Sequence, residues 1–173
     1  ENIWLASSGG GIGGYWGEVR SDGVSTSNGS KSTGSIPFMH VVDSQMLAFN
    51  QGTTRRGSYA AYLDISHPEV EEFMIMRKES GGDINRKCLN LHHGINITNA
   101  FLDAIRNDDD WRLIDPKSGD AVKIVKAREL WSKILETRAE TGEPYLVNID
   151  TCNDALPKEQ RELGLEVKQS NLC

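Results

Sequence analysis

Three short apolar runs set the strongest limit on the fold of this chain. They are "YAAYLDI" at 59–65, "GINIT" at 94–98 and "YLVNID" at 145–150. Each is bounded by polar or turn-forming residues and reads as a buried strand. Between them lie stretches with helical spacing. Successive strands separated by helices have the connection length that parallel pairing needs, so the pattern predicts an α/β fold with parallel strands.

The remaining segments fill in around these strands. Residues 9–35 are rich in Gly, Ser and Thr and predict a short strand from Gly11 to Trp16 followed by a long loop. "IPFMHVVDSQMLAF" predicts a helix that buries Phe38, Val41, Val42, Met46 and Phe49. A second loop, "NQGTTRRGS", spans 50–58. Ser66 and Glu69 have the spacing of a capping box and predict a helix running to about Lys78. "NAFLDAIRN" reads as a short helix, and "WRLID" then "PKSGD" as a strand and a turn. A helix over 122–141 places Ala127, Leu130, Trp131, Ile134, Leu135 and Arg138 on one face and stops at Gly142 and Pro144. Thr151–Glu166 reads as loop, and 167–173 as extended chain. At 173 residues, the length fits one domain with one core.

Composition excludes several functions. A formal net charge of −6 argues against a general nucleic-acid or membrane-surface binder. No apolar run approaches the ~20 residues of a membrane helix. Three cysteines without Cys-x-x-Cys spacing indicate neither a disulfide framework nor a zinc site, which points to a reducing, cytoplasmic setting.

Five stretches carry candidate chemistry. Gly9, Gly11 and Gly14 satisfy G-x-G-x-x-G, but a polar loop rather than a helix follows them, so a dinucleotide fold is not indicated. Bare backbone still allows close approach, by a ligand or by a packed neighbour. The loop "SDGVSTSNGSKSTGS" lacks Walker A spacing. Its Lys31 and the nearby Arg20 suit an anionic ligand, and the same residues also suit a solvated loop. In "NQGTTRRGS", Gln51, Arg55 and Arg56 fit phosphates or a base edge, or a solvated turn. Adjacent His92 and His93 point to opposite sides of a strand and read as structural, and no metal site is indicated. On an extended "NLC", Asn171 and Cys173 fall on one face. They suit either a reactive thiol beside an amide or an inert buried cysteine.

In order and wording, "GGGIGGYWGEVRSDG", "GSIPFMHVVDSQMLAFNQGTTRRGSYAAYLDISHPEVEEF", "ARELWSKILETRAETGEPYLVNID" and "KQSNLC" together resemble the large catalytic subunit of class I ribonucleotide reductases over essentially the whole chain. The resemblance implies part of a ten-stranded α/β barrel ending in its finger loop, whose start is residues 167–173. It implies that Cys173 becomes a thiyl radical that takes the 3′ hydrogen of the substrate ribose. Asn171 would orient that ribose, with Ser170 and the backbone of Gly10 and Gly11 beside it. Arg20 and, by position, Lys31 would bind effector phosphates of ATP or deoxynucleoside triphosphates. Gln51 with Arg55 or Arg56 would relay effector identity to base choice.

The resemblance further implies a radical-generating di-metal small subunit as partner, a homodimer of the full-length large subunit, and no cofactor bound by this stretch itself. The family's general-base glutamate, phosphate turn and redox cysteine pair have no counterpart here, and Cys88 and Cys152 match neither redox position. The start at Glu1 and the end at Cys173 lead to the expectation of an internal piece without turnover alone. Alternatives are a non-catalytic nucleotide-binding module and the N-extein of an intein-split reductase.

Overall fold

The computed structural model of the chain describes residues 2–49 and 57–171. In order, its elements are α1 (Asn2–Ser7), β1 (Gly11–Tyr15), β2 (Asp22–Ser25), β3 (Lys31–Thr33), α2 (Ile36–Ala48), β4 (Ser58–Asp64), α3 (Val70–Ile75), β5 (His92–Ile97), α4 (Asn99–Asn107), β6 (Asp110–Ile114), β7 (Ala121–Lys126), α5 (Ala127–Thr141), β8 (Tyr145–Asn148), α6 (Ile149–Asp154) and α7 (Lys158–Glu162). The glycine-rich strand and the three apolar runs form one sheet in the order β1-β4-β5-β8. Every neighbouring pair is parallel, with Ile12 opposite Tyr59, Tyr62 opposite Gly94 and Asn96 opposite Val147. The α/β expectation with parallel strands holds. β4 is buried from Tyr59 through Leu63, as a strand covered on both faces must be. Its core partners include Met39, Met46, Phe73, Ile95, Phe101 and Leu130.

Five local expectations are corrected. The long loop after β1 contains the antiparallel hairpin β2–β3. α2 forms as expected, with Met46 buried and Val42 packed against the core, but its inward face is rotated: Ile36, Met39, Asp43 and Met46 face the core, while Phe38 and Val41 are 57% and 53% exposed and Phe49 is also exposed. Asp43 fixes that orientation, because its buried carboxylate accepts the backbone N–H groups of Asn90 and Leu91 and the Asn90 amide. The capping box does not form. Glu69 instead accepts from the Ser35 N–H and hydroxyl at 2.8 and 2.9 Å and pairs with Arg86, and α3 ends at Ile75. Gly34, at φ +78°, is needed here, since a Cβ would lie 1.9 Å from a Glu69 oxygen. Residues 121–126 are strand, paired with β6, so the helix begins only at Ala127. Its buried face is Ala127, Leu130, Ile134 and Thr137, and Leu135 is exposed. Finally, the expected loop at 151–166 contains part of α6 and all of α7, and the Asn148 side chain caps α6 by accepting from the Thr151 N–H.

His92 and His93 are not separated by strand alternation, because both reach one carboxylate. Glu143, buried in the turn before β8, contacts His92 Nδ1 at 2.6 Å, His93 Nδ1 at 2.9 Å and Arg77 at 3.2 Å. Burial opposes its ionisation. The hydrogen bonds from His93 and His92 and the neighbouring positive charge outweigh that and hold its carboxyl at about 2. A carboxyl depressed in the folded state stabilises fully above its ordinary 4.5, and that contribution is lost as pH falls through about 2. In the full-length protein, Glu143→Gln should therefore cost about 3 kcal/mol near neutrality by leaving buried partners unpaired. Urea midpoints of parent and variant should converge in acid. A variant as stable as the parent at pH 7 would show that the clasp contributes nothing.

Candidate functional site

Beyond β1 the chain enters the loop at 16–21 and then the β2–β3 hairpin, so no helix follows the glycines and a dinucleotide-binding turn is absent. The same loop and hairpin build a cleft of about 460 Å³. Arg20 and Lys31, the two cations predicted from sequence, both line it, beside the hydroxyls of Thr26 and Thr33 and the exposed ring of Phe38. Lys31 Nζ donates to the Ser25 hydroxyl at 3.1 Å, which holds it on the hairpin. A third cation, Lys117, enters from the turn between β6 and β7. Sequence reading missed it, since nothing local links residues 20 and 117.

That link is Asp115. Its fully buried carboxylate accepts the Ser21 N–H at 2.7 Å and hydroxyl at 2.9 Å, and the N–H groups of Lys117 and Ser118 at 2.9 and 3.0 Å. Burial opposes its charge, but these donors win and hold the carboxyl below the usual carboxylate range.

The second constellation is the segment 167–171, which lies across the sheet. Val167 exchanges hydrogen bonds with the Asn153 side chain, the Lys168 carbonyl accepts from Asn96 Nδ2 at 2.9 Å, and Gln169 Nε2 donates to the Gly13 carbonyl at 2.9 Å. Lys168 pairs with Glu18 at 2.6 Å and sits over the Tyr15 ring. The segment presses directly on β1: a Cβ on Gly13 would lie 2.0 Å from the Ser170 carbonyl oxygen and 3.1 Å from Asn171 Cα. Close approach to bare backbone thus occurs at Gly13, and what approaches is the chain itself. Ser170 and Asn171 are exposed there. Gly10 and Gly11 lie at the entry to β1, Gly10 donating its N–H to Leu5 and Gly11 opposite Ser58. Gln51, Arg55, Arg56 and Cys173 lie outside the described residues.

Beside this segment, at the carboxyl ends of the parallel strands, is a polar chain that the sequence reading also missed. The Tyr15 hydroxyl donates to Asp64 at 2.5 Å, and Asn96 Nδ2 donates to the other Asp64 oxygen at 3.1 Å. Burial pushes the Tyr15 phenol up, and the carboxylate it donates to pushes it further, so it stays protonated. Tyr15, Asp64 and Asn96 line a cavity of about 280 Å³ with Thr98, Asn153 and Lys168. The signal available was positional, since sites on parallel sheets gather at the strands' carboxyl ends.

Cys88 is buried, and burial with the Asp43 charge pushes its thiol up to about 12, which makes it a poor nucleophile. Among the described residues, no group of three or more His, Cys, Asp or Glu side chains is placed to hold a metal ion. No helix among them is long and apolar enough to cross a membrane.

A parallel α/β sheet with a glycine strand seating an extended segment, and a cationic loop beyond it, defines a known class. The family model for the ribonucleotide reductase barrel domain matches residues 1–173, and the chain belongs to that family. It is 52% identical over 173 residues to a Frog virus 3 (isolate Goorha) protein carrying the provisional name of ribonucleoside-diphosphate reductase large subunit, covering all of this chain and 29% of that protein. To the ribonucleoside-diphosphate reductase large subunit of Invertebrate iridescent virus 6 it is 48% identical over 158 residues, covering 87% of this chain and 16% of that one. To the ribonucleoside-diphosphate reductase subunit alpha of Helicobacter pylori (strain ATCC 700392 / 26695) it is 33% identical over 198 residues, covering 100% and 24%. The chain thus spans less than a third of the length of each of these curated relatives.

Proposed function

We propose that this chain is the part of a ribonucleoside-diphosphate reductase large subunit that carries the radical cysteine and the specificity-effector loops. The observation that carries the reading is the family match over the whole chain, and the arrangement on β1 supports it. The segment leading to Asn171 and Cys173 is seated on Gly13, and the cleft of Arg20 and Lys31 opens just past the end of the same strand. In this reading a thiyl radical at Cys173 abstracts the 3′ hydrogen of a ribonucleotide, which forms the S–H bond and leaves the radical on the ribose, and the thiyl radical re-forms when that hydrogen is returned to the ribose. Asn171 and Ser170 hold the ribose, with Gly10 and Gly11 as backbone neighbours. The radical comes from a di-metal small subunit. Arg20 and Lys31 bind the phosphates of ATP or a deoxynucleoside triphosphate, and Gln51 with Arg55 or Arg56 relays which effector is bound. The exposed Phe38 and Val41 on α2 suit an apolar interface between two copies of the full-length subunit.

The test is substrate choice. With the small subunit present, reduction of the four ribonucleoside diphosphates is measured under each effector for the full-length parent, Arg55→Ala and Arg56→Ala. One of the two should lose effector-directed base preference by about 10-fold, since a charge-assisted hydrogen bond is worth on the order of 1.5–3 kcal/mol. Effector affinity should change less. Unaltered patterns in both variants would remove these arginines from the relay, and no reduction by the parent would overturn the function itself.

A further inference from the structure

We infer that Lys117 is a third phosphate ligand of the Arg20–Lys31 cleft, set in place by the buried carboxylate of Asp115. This deepens the effector reading and rests on it. Residue 117 belongs to the β6–β7 hairpin, far in sequence from the loop after β1, yet it lines the same cleft. The juxtaposition is built rather than incidental. Asp115 is fully buried and spends its hydrogen bonds on both walls at once: two come from Ser21, next to Arg20, and two from the N–H groups of Lys117 and Ser118. One carboxylate therefore locks the Arg20 loop to the Lys117 turn.

The charge balance points to an anion. The chain carries a net −6, yet three cations line this one cleft. Among the described residues, none of the three has a carboxylate within 4.0 Å. One acid, Glu18, also lines the cleft; it is paired with Lys168, and Lys117 adds a smaller attraction to it, so the cleft keeps an excess of positive charge. Lys117 is exposed and stands on a turn of Pro, Ser and Gly. A triphosphate brings more negative charge than Arg20 and Lys31 together balance, and a flexible ammonium suits the outermost phosphate, where the leaving or staying of one group decides charge.

The experiment uses the full-length subunit and measures binding of dTTP, dTDP and dTMP by equilibrium dialysis at low and high salt. Lys117→Ala should weaken dTTP about five- to tenfold at low salt, with the deficit shrinking as salt screens the charge. dTMP should change by less than about twofold, and Lys117→Arg should restore dTTP binding. Asp115→Asn should show the same triphosphate-selective loss. If that variant fails to fold, the exposed Lys117 pair decides alone. Arg20→Ala is the control arm. If it weakens dTTP while Lys117→Ala does not, or if Lys117→Ala weakens all three nucleotides equally, the assignment of Lys117 is overturned and the effector cleft stands. If Arg20→Ala leaves dTTP binding unchanged, the effector reading fails and the Lys117 assignment fails with it.

Discussion

In the full-length subunit, Cys173→Ser is expected to abolish ribonucleotide reduction while dTTP still binds the Arg20–Lys31 cleft with the parent's affinity. Serine keeps nearly the volume and the hydrogen-bonding capacity of cysteine. Its O–H bond is much stronger than an S–H bond, so an oxygen radical is not formed by the same donor. Turnover should fall by on the order of a thousandfold or more, the size of loss seen when the group that performs bond-breaking is removed. Binding should persist, because the cleft is built by the hairpin after β1 and by the Asp115 turn, neither of which contains residue 173. Turnover near the parent's rate would remove Cys173 from the chemistry. Loss of both activities together would mean instead that the substitution disturbs the fold.

The second large effect is expected at Gly13. A methyl group there would occupy space 2.0 Å from the Ser170 carbonyl oxygen and 2.7 Å from its carbon, and both are backbone atoms that no rotamer change can move aside. Gly13→Ala must lift the 168–171 segment from β1 and break the Gln169 hydrogen bond to the Gly13 carbonyl. Overpacking of this kind costs about 1–3 kcal/mol. The larger consequence is positional: a shift of about 1 Å in Asn171 and the residues after it can cost on the order of 100-fold in rate. The measurements are kcat and the thermal midpoint of the full-length variant, with dTTP affinity as the internal control. Parent-like kcat in Gly13→Ala would show that the seating of this segment is irrelevant to turnover.

What could be read from residues alone follows a physical division. Short apolar runs bounded by polar or turn-forming residues, at 59–65, 94–98 and 145–150, became strands of the parallel sheet, and the two central ones, β4 and β5, are buried along nearly their whole length. α2 was located and its Val42 and Met46 placed inward, but Phe38, Val41 and Phe49 were put on the wrong side, since the helix is apolar nearly all round and its period cannot choose a face. The choice is made by Asp43 accepting from residues 90 and 91, a contact between distant parts of the chain. Residues 121–126 carry lysines and valines that fit either period, and only pairing with β6 makes them strand. Glu69 has the spacing of a cap, but Ser35 and Arg86 compete for it and win. The same limit governs the sites. Arg20 and Lys31 lie on one local loop and were visible, whereas Lys117, Asp64 and Asn96 join their neighbours only through the tertiary fold. The short α6 had a legible Asn cap that its polar surroundings masked.

The order of strands in the sheet also has a kinetic meaning. Because β1, β4, β5 and β8 lie side by side in the order in which they are synthesised, no strand has to insert between two that have already paired. Among the three pairings, Tyr62 with Gly94 is closest along the chain, and loop closure grows costlier with separation, so β4–β5 is the favoured starting contact. Every strand of the β1-β4-β5 unit has been made before β8 leaves the ribosome, and folding during synthesis proceeds from the N-terminal side. The groove over Gly13 then exists before the residues that fill it. The segment bearing Asn171 is made after β1, β4, β5 and β8, so it can dock onto a surface already formed.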